Sequence, residues 1–192
     1  MGKQLDLFNR PEASAQDPDV RILSFDPVDF DYRELRDAVD WQQRSVTVYG
    51  KTYPQPRLTK WYGPVGYHYS GLGWPAEPLP ALLAEILKRT EDLVGEPLNS
   101  VLCNLYRDGD DCVGWHADDE PLFGGDPVVA SLSFGATRIF KIRSADWQRD
   151  YHLDDGSLLV MGRGVQRSCQ HSLPRTRATV GERLNLTFRQ VV

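Results

Sequence analysis

The stretch RLNLTFR, residues 183–189, alternates strictly between polar and apolar side chains. Because successive residues of a β-strand point to opposite faces, this period of two predicts a strand with one apolar and one polar face. On this segment alone we favour a half-buried strand whose polar face lies in water, since such faces are common. Two arginines, an asparagine and a threonine on one face would equally suit a pocket for a dianion, because arginine binds carboxylates through paired hydrogen bonds.

The sequence around this stretch breaks into short β-rich segments separated by glycine and Asp-Gly turns. From residue 98 onward these segments are NSVLCNLY, VVASLSFG, TRIFKIR, YHLDDG, SLLVMG, RATVGE and RLNLTFRQV. Many short strands of this kind indicate a barrel or sandwich rather than a parallel fold with alternating helices.

Helices are expected before the β-rich half. Residues 31–42 carry apolar positions at helical spacing, and residues 80–94 begin with Pro80 and stop before Gly95, as helices commonly do. Between them, SVTVYGKTY at residues 45–53 predicts a β-hairpin. The order of elements therefore predicts an α+β domain with a mainly antiparallel β core.

Length and composition are those of an ordinary globular chain. With 192 residues, 41% hydrophobic and 26% charged, one domain is expected. No apolar run approaches the roughly 20 residues of a membrane helix, and no signal-peptide pattern opens the sequence. Three scattered cysteines do not form a disulfide framework, so a reducing cytoplasm is expected.

Charge is distributed unevenly along the chain. The net charge of −5 argues weakly against nucleic acid, yet residues 44–63 carry four basic and no acidic side chains among several aromatic ones. Such a strip can bind phosphates locally on an acidic protein. Residues 103–126 carry seven acidic side chains and one basic one. Clustered like charges are costly, which indicates a bound cation among them.

His116 and Asp118 lie within this acidic region, two residues apart and therefore on one face of an extended segment. Two histidines and a carboxylate on one face of an octahedral ion form the facial triad of non-haem iron oxygenases, although imidazole and carboxylate also suit Zn and Mn. His171 is the best candidate for the third ligand. A His-x-Asp pair also occurs by chance, but Asn104 and Tyr106 before it and RLNLTFR after it make the ordered set more specific.

The segments NLYRDGDDCVGWHADDE, SLSFGATRIFKIR, GSLLVMG, HSLPRT and RLNLTFR resemble the AlkB family of Fe(II)- and 2-oxoglutarate-dependent dioxygenases, and most closely its duplex-DNA demethylase branch. The similarity covers about residues 40–190. It implies one domain at residues 21–192. This domain would have N-terminal helices, a nucleotide-recognition hairpin and lid at about 44–72, and a double-stranded β-helix (jelly-roll) core at about 98–192. It also implies iron on His116, Asp118 and His171.

The resemblance also implies a site for 2-oxoglutarate. Arg183 and Asn185, with Tyr106, would take the distal carboxylate. Asn104 and Arg189 would serve the end that chelates iron, and Thr187 would lie in the same wall.

Substrate-binding residues follow from the resemblance in the same way. Tyr49, Gly50 and Lys51 match the loop that inserts an aromatic finger into the duplex as the damaged base leaves the stack, and Tyr62, Gly63 and Pro64 match the lid over that base. Arg57 would contact a phosphate or the lesion, while Asp119 and Glu120 would face a positively charged methylated base. The family finger is often phenylalanine and its lid often carries aspartate, whereas this chain has Tyr49 and Pro64; Pro64 in place of an acidic lid residue leaves base discrimination open.

The N-terminal segment 1–20 is polar and is expected to be a mobile tail. Within it, Gln4, Leu5, Asp6, Leu7 and Phe8 resemble the pentapeptide by which bacterial proteins dock on the replication sliding clamp. The alternatives are a chance amphipathic start or a segment that packs on its own domain. A clamp-binding tail would place the protein at bacterial DNA in the cytoplasm, and a monomer is expected.

Three functions remain at this point. The resemblance implies a DNA repair oxygenase that removes N-methyl groups from N1-methyladenine and N3-methylcytosine with Fe(II), O2 and 2-oxoglutarate, releasing formaldehyde, succinate and carbon dioxide. The same chemistry on RNA or on a protein side chain is an alternative. A non-catalytic protein that binds DNA or the clamp is a further one, against which the intact His-x-Asp pair and both arginines argue.

Overall fold

The computed structural model describes residues 18–48, 51–69 and 71–192. Its strands are β1 (Val20–Ser24), β2 (Ser45–Val48), β3 (Lys51–Pro54), β4 (Leu58–Tyr62), β5 (Tyr67–Tyr69), β6 (Leu72–Trp74), β7 (Ser100–Tyr106), β8 (Val113–His116), β9 (Val129–Gly135), β10 (Arg138–Arg143), β11 (Gln148–Leu153), β12 (Ser157–Met161), β13 (Gln170–Leu173) and β14 (Arg183–Arg189). Its helices are α1 (Tyr32–Asp37), α2 (Ala81–Val94) and α3 (Val165–Ser168), with a 3-10 turn at Pro121–Phe123. Within these ranges, no helix is both long and apolar enough to span a bilayer.

Two antiparallel sheets form the core of the protein. The major sheet has six strands in the order β1-β12-β9-β14-β7-β4, and the minor sheet has four in the order β11-β10-β13-β8. Apolar side chains of both sheets, including Leu159 of β12 and Ile142 of β10, pack in one buried cluster between them. This arrangement confirms the predicted double-stranded β-helix.

The outer face of the major sheet is covered by helices. Leu184, Leu186 and Phe188 of β14 pack in the largest buried cluster, together with Leu35 of α1 and Leu83 of α2. The opposite face of β14 faces the minor sheet and is buried as well. The expectation of a solvent-facing polar side for RLNLTFR was therefore wrong, because a second sheet covers that side.

The two larger helices differ in how well the sequence predicted them. The helix predicted for residues 80–94 is confirmed as α2, which ends at Gly95 with a left-handed φ of 74°. The helix predicted for residues 31–42 ends earlier, at Asp37. The indole of Trp41 donates to the Arg36 carbonyl, and the backbone N–H of Asp40 donates to the Tyr62 hydroxyl. These tertiary bonds replace the i to i+4 bond that would continue the helix.

Most of the predicted strands are present, with two differences. Residues 177–182 were expected to be extended, but they contain no strand. The segment between β13 and β14 instead bonds to turns, since Thr176 N–H donates to Gly109 and the Glu182 carbonyl accepts from Ala136. The second difference is β1, which begins at Val20 and pairs with β12 at the edge of the major sheet.

The predicted hairpin at residues 45–53 is confirmed as the β2–β3 ribbon, with Val48 paired to Lys51. A second ribbon, β5–β6, follows it. Among the described residues, each ribbon pairs only within itself and joins neither sheet. Two predictions fall outside the described residues: the finger residues Tyr49 and Gly50, and the clamp-like segment at residues 4–8.

Candidate metal and co-substrate site

His116, Asp118 and His171 meet at one end of the minor sheet. His116 ends β8 and lies directly across from His171 of β13 in the strand register. The rings of the two histidines are 4.2 Å apart between centroids. Asp118 completes the group with its two oxygens 3.9 Å from the Nε2 atoms of His116 and His171. One candidate ligand atom from each residue lies within 4.8 Å of the others, which confirms the predicted grouping of the triad.

The rings of both histidines are positioned by neighbouring groups. The His116 Nδ1 lies 2.8 Å from the Gly114 carbonyl, which leaves Nε2 turned towards Asp118. A backbone carbonyl on the far nitrogen is the usual way in which a metal-binding imidazole is oriented. His171 is buried against Phe140, and this burial, together with His116, lowers the pKa of His171 to about 3. His171 is therefore neutral at pH 7, as a ligand must be.

Asp118 is buried and ionised. Burial alone would raise the pKa of its carboxyl, but Arg189, His171 and His116 outweigh it and lower the pKa well below the usual range. Arg189 donates from Nε and Nη2 to one carboxylate oxygen at 3.1 and 2.6 Å. The Asp118 backbone N–H donates to the Gln166 side chain at 3.0 Å. These contacts hold the carboxylate in place beside the two histidines.

A wall of hydrogen-bonded side chains continues from the triad along the inner face of the major sheet. Asn104 of β7 lies opposite Asn185 of β14, and their side chains are 3.5 Å apart. Thr187 donates to Asn185 at 2.9 Å, and Asn185 donates to Ser131 of β9 at 2.8 Å. Arg57 donates to Asn104 at 3.0 Å, which brings Arg57 into the wall of the cavity.

Arg183 lies in this region as a buried cation. It pairs with Tyr106 in the register and its guanidinium lies 5.4 Å from the Tyr106 ring centroid. It donates to Ser133 at 2.9 Å, but its Nε has no partner, and no carboxylate pairs with it among the described residues. Burial lowers the pKa of Arg183 to about 10, so the group stays charged at pH 7.

The residues fit both groups that the sequence implies. Two imidazoles and one carboxylate on one side of a cavity are the donor set of the Fe(II) facial triad. A buried cation with an unsatisfied N–H is costly unless an anion completes it, and a carboxylate of 2-oxoglutarate would do so. Five of the six residues predicted to bind 2-oxoglutarate line the same cavity as the triad: Asn104, Tyr106, Asn185, Thr187 and Arg189.

The two acidic residues predicted to face the substrate point in different directions. Glu120 accepts a hydrogen bond from Tyr67, a cavity-lining residue, at 2.8 Å. The second oxygen of Glu120 is buried and has no partner among the described residues. Asp119 is exposed and lines a separate groove with Arg143 and Gln166.

The remaining predicted substrate residues are dispersed. Tyr62 is buried in the core cluster on the helix-covered face of β4, so the structure does not bring it to the cavity. Gly63 follows it with its N–H bonded to the Glu77 carbonyl, and Pro64 is exposed. Lys51 is exposed at the start of β3. The substrate roles of these residues stay predictions.

Several side chains of the site escaped the sequence analysis. Tyr67 lines the cavity, although the sequence assigned it no role there. Gln166 of α3, which holds the backbone of Asp118, carries no sequence signal at all. Arg138 of β10 lies 5.9 Å from the Tyr106 ring centroid and donates to the carbonyls of Asp108, Asp111 and Pro174, which ties two loops beside the cavity.

Comparison with known proteins agrees with this geometry. The family model of the 2OG-Fe(II) oxygenase superfamily matches residues 29–189. Alpha-ketoglutarate-dependent dioxygenase alkB homolog 3 of Rattus norvegicus is 43% identical over 176 residues, which are 85% of this chain and 59% of that protein. DNA oxidative demethylase ALKBH2 of Mus musculus is 34% identical over 176 residues, which are 84% of this chain and 74% of that protein.

A solved structure shows the same fold. The structure of OsALKBH1 matches with a TM-score of 0.65 at 20% identity, covering 92% of this chain and 100% of the other.

The chain thus belongs to the 2OG-Fe(II) oxygenase superfamily and, within it, to the AlkB family. It spans about three fifths of the length of the alkB homolog 3 proteins that it matches.

Proposed function

We propose that the protein is a dioxygenase that oxidatively demethylates N1-methyladenine and N3-methylcytosine in DNA. The observation that carries this proposal is one cavity lined by the triad His116, Asp118 and His171 and by Tyr106, with the uncompensated cation of Arg183 beside the Tyr106 ring. The chain's relatives, an alpha-ketoglutarate-dependent dioxygenase and a DNA oxidative demethylase, support it further.

With Fe(II) and 2-oxoglutarate bound, the site would support an oxidation in which O2 is consumed, 2-oxoglutarate loses carbon dioxide to become succinate, and one oxygen atom enters a C–H bond of the N-methyl group. The resulting N-hydroxymethyl base releases formaldehyde, and its ring nitrogen keeps the electron pair of the broken bond. The protein contributes binding, orientation and exclusion of water to this sequence.

Each part of the site has one task in this scheme. His116, Asp118 and His171 would hold the Fe(II), since two imidazoles and one carboxylate are its usual protein ligands in oxygenases of this kind. Arg189 keeps the Asp118 carboxylate ionised and oriented. Arg183, with Tyr106 beside it, binds the distal carboxylate of 2-oxoglutarate and so sets the position of the keto-acid end.

The charge at the substrate side favours a cationic base. N1-methyladenine and N3-methylcytosine carry a positive charge until the methyl group is lost. Glu120, with one buried oxygen unpartnered and the other held by Tyr67, provides an acceptor and a negative charge beside the cavity. Loss of the methyl group removes the positive charge of the base and weakens its attraction to Glu120, which assists product release.

The test is formaldehyde release from matched oligonucleotides that carry N1-methyladenine or N3-methylcytosine, with Fe(II) and 2-oxoglutarate. We expect turnover on DNA that disappears in His116→Ala. Turnover on RNA with none on DNA would move the substrate class to RNA. Succinate formation without any demethylated base would show that the oxygenase acts on another substrate, such as a protein side chain.

We also propose that the segment Gln4–Phe8 docks on the bacterial sliding clamp and keeps the protein near replicating DNA in the cytoplasm. The support is the five-residue match in a polar N-terminal segment. A labelled peptide of residues 1–20 should bind purified clamp in a fluorescence anisotropy titration. A peptide with Leu7→Ala and Phe8→Ala should lose that binding, and equal binding by both peptides would exclude the motif.

A further inference from the structure

The β2–β3 hairpin is a two-stranded ribbon that is separate from both sheets of the core. Among the described residues its two strands pair with each other and with no other strand. All four residues of β3 are exposed, and Tyr53 is 50% exposed. A two-stranded ribbon is marginally stable in water by itself. Contacts at its root therefore contribute to its orientation.

Arg44, which immediately precedes β2, supplies several of these contacts, and Gln43 adds a hydrogen bond from its Nε2 to the Gln55 carbonyl at 3.3 Å. The Arg44 carbonyl accepts from the Gln55 N–H at 2.7 Å, which closes the base of the hairpin. Its side chain reaches the second ribbon, where the guanidinium lies 5.2 Å from the ring centroid of Trp74 and donates to the Gly73 carbonyl. Its Nε is buried with no hydrogen-bond partner among the described residues, so this part of the group is held by stacking.

The stack continues from Trp74 to Tyr67, which lines the cavity, and on to Trp61. Trp74 lies 5.5 Å from Tyr67 between ring centroids, and Tyr67 lies 4.7 Å from Trp61, with interplanar angles of 20° and 29°. Trp61 belongs to β4 of the major sheet, and all three rings are buried. Tyr67 also bonds to Glu120, two residues beyond Asp118. One column of four planar groups therefore connects the root of the hairpin to the metal site.

We propose that Arg44 is a positioning residue that fixes the β2–β3 hairpin relative to the metal site, so that the nucleic acid contacted by the hairpin is delivered to the cavity in one register. This inference rests on the proposed function for its nucleic-acid part. Arginine suits the task because its planar guanidinium stacks on an indole while donating in its own plane, which the ammonium of lysine does not do.

Hydrogen exchange tests the anchor without any substrate. Arg44→Ala should speed amide exchange in residues 45–54 by about tenfold, which is the loss expected for one cation–π contact with its hydrogen bond. The major sheet should keep its protection. Arg89→Ala is the matched control. Arg89 of α2 lies 4.9 Å from the ring centroid of Phe30 and forms ion pairs with Asp29 and Glu85, away from the hairpin. Unchanged exchange in residues 45–54 would overturn the proposal.

Steady-state kinetics tests the consequence. Arg44→Ala should raise the KM for methylated oligonucleotides by about tenfold while kcat and substrate-free turnover of 2-oxoglutarate stay unchanged. Arg44→Lys should resemble the alanine variant, since it keeps only the charge. Wild-type kinetics in Arg44→Lys would mean that charge attraction suffices, and a fall in kcat alone would mean that the hairpin register is not affected. Either result would overturn the positioning role.

The two measurements separate this inference from the proposed function. If the wild-type protein turned over no nucleic acid, the proposed function would fail and the delivery role with it. The exchange rates would still decide whether Arg44 anchors the hairpin. If nucleic acid were turned over but Arg44→Ala changed neither exchange nor KM, only the inference about Arg44 would fail.

Discussion

The two faces of β14 are buried to the same degree but are built in opposite ways. Leu184, Leu186 and Phe188 fill the space beneath the helices, and each is 0% exposed. Arg183 and Arg189 on the other face are 2% exposed. The apolar face is held by shape and buried area. The polar face is held by individual partners, one of which, Asp118, is itself a metal ligand candidate.

This difference indicates that the apolar face of β14 contributes mainly to stability and the polar face mainly to the site. On the apolar face a lost contact creates a cavity, and its cost appears in the free energy of unfolding. On the polar face a lost partner leaves another polar group buried and unpaired, so the cost depends on whether that group has an alternative. Substitutions on the two faces should therefore be distinguishable by what they change.

The largest effect is expected from Arg189→Met. It would leave the Asp118 carboxylate buried without its cation and should lower the free energy of unfolding of the metal-free protein by about 3–5 kcal/mol. Arg183→Met is the matched control, because that cation has no carboxylate partner among the described residues. Urea denaturation of both variants measures the contrast. Equal losses of unfolding free energy in the two variants would show that the ion pair with Asp118 is not the source of the destabilisation.

On the apolar face, Leu186→Ala should lower the free energy of unfolding by about 3 kcal/mol through the cavity it leaves. Because Leu186 faces away from the cavity, the affinity for 2-oxoglutarate should stay at the wild-type value. Denaturation and calorimetric titration on the same preparation would check both. A weakened co-substrate affinity in the folded variant would show that the two faces are coupled.

Arg183→Met should have the opposite profile. Losing a charge-assisted pair should raise the Kd for 2-oxoglutarate by about 100-fold. The free energy of unfolding should change little, because an uncompensated buried cation is removed rather than a pair broken. Metal binding should be retained, as Arg183 does not touch the triad. Unchanged co-substrate affinity would contradict the assignment of this strand.

A smaller effect is expected at Gln166, which accepts the Asp118 N–H. Gln166→Ala should weaken Co(II) or Mn(II) binding by about tenfold, as loss of a group that orients a ligand usually does. Gln166→Glu keeps an acceptor oxygen and should recover most of the affinity, while Ser168→Ala on the same helix should have no effect. If all three variants bound the metal alike, Gln166 would have no orienting role.

The smallest effect concerns Tyr32, beside the apolar core. Burial, and next the nearby Glu182, raise the pKa of Tyr32 to about 12 from 10.0. Folding thus favours the neutral phenol, so this contribution is present below pH 10 and is lost as the pH rises towards 12. Tyr32→Phe should flatten the decline of stability in that window. If the free energy of unfolding fell equally with pH in the wild type and in Tyr32→Phe, Tyr32 would not contribute to the decline.

Much of the site could be predicted from the sequence because the signals were local. His116 and Asp118 are two residues apart, and the polar residues of RLNLTFR alternate along one strand, so each set had to share a face. The structure joins both sets in one cavity. The ordered resemblance to the AlkB family implied that His171 is the third ligand, and the structure places it beside His116 and Asp118.

Other features depended on contacts between distant segments. The burial of the polar face of β14 required the minor sheet, and the end of α1 depends on Trp41 and Tyr62. The sequence showed no sign that Gln166 would reach the backbone of Asp118. Residues 177–182 looked extended, but their neighbours bond to turns rather than to a strand.

The sequence by itself determined which side chains share a face, because backbone geometry sets that within a few residues. Its resemblance to the AlkB family implied the class of chemistry, which the two histidines and the carboxylate alone left open among Fe(II), Zn and Mn. Only the tertiary structure decided which faces pack against each other and are buried. Sheet closure brings β7, β8, β13 and β14 around one cavity, and it stacks Arg44, Trp74, Tyr67 and Trp61 in one column. Those contacts depend on how the strands pair across long stretches of chain, which local periodicity does not encode.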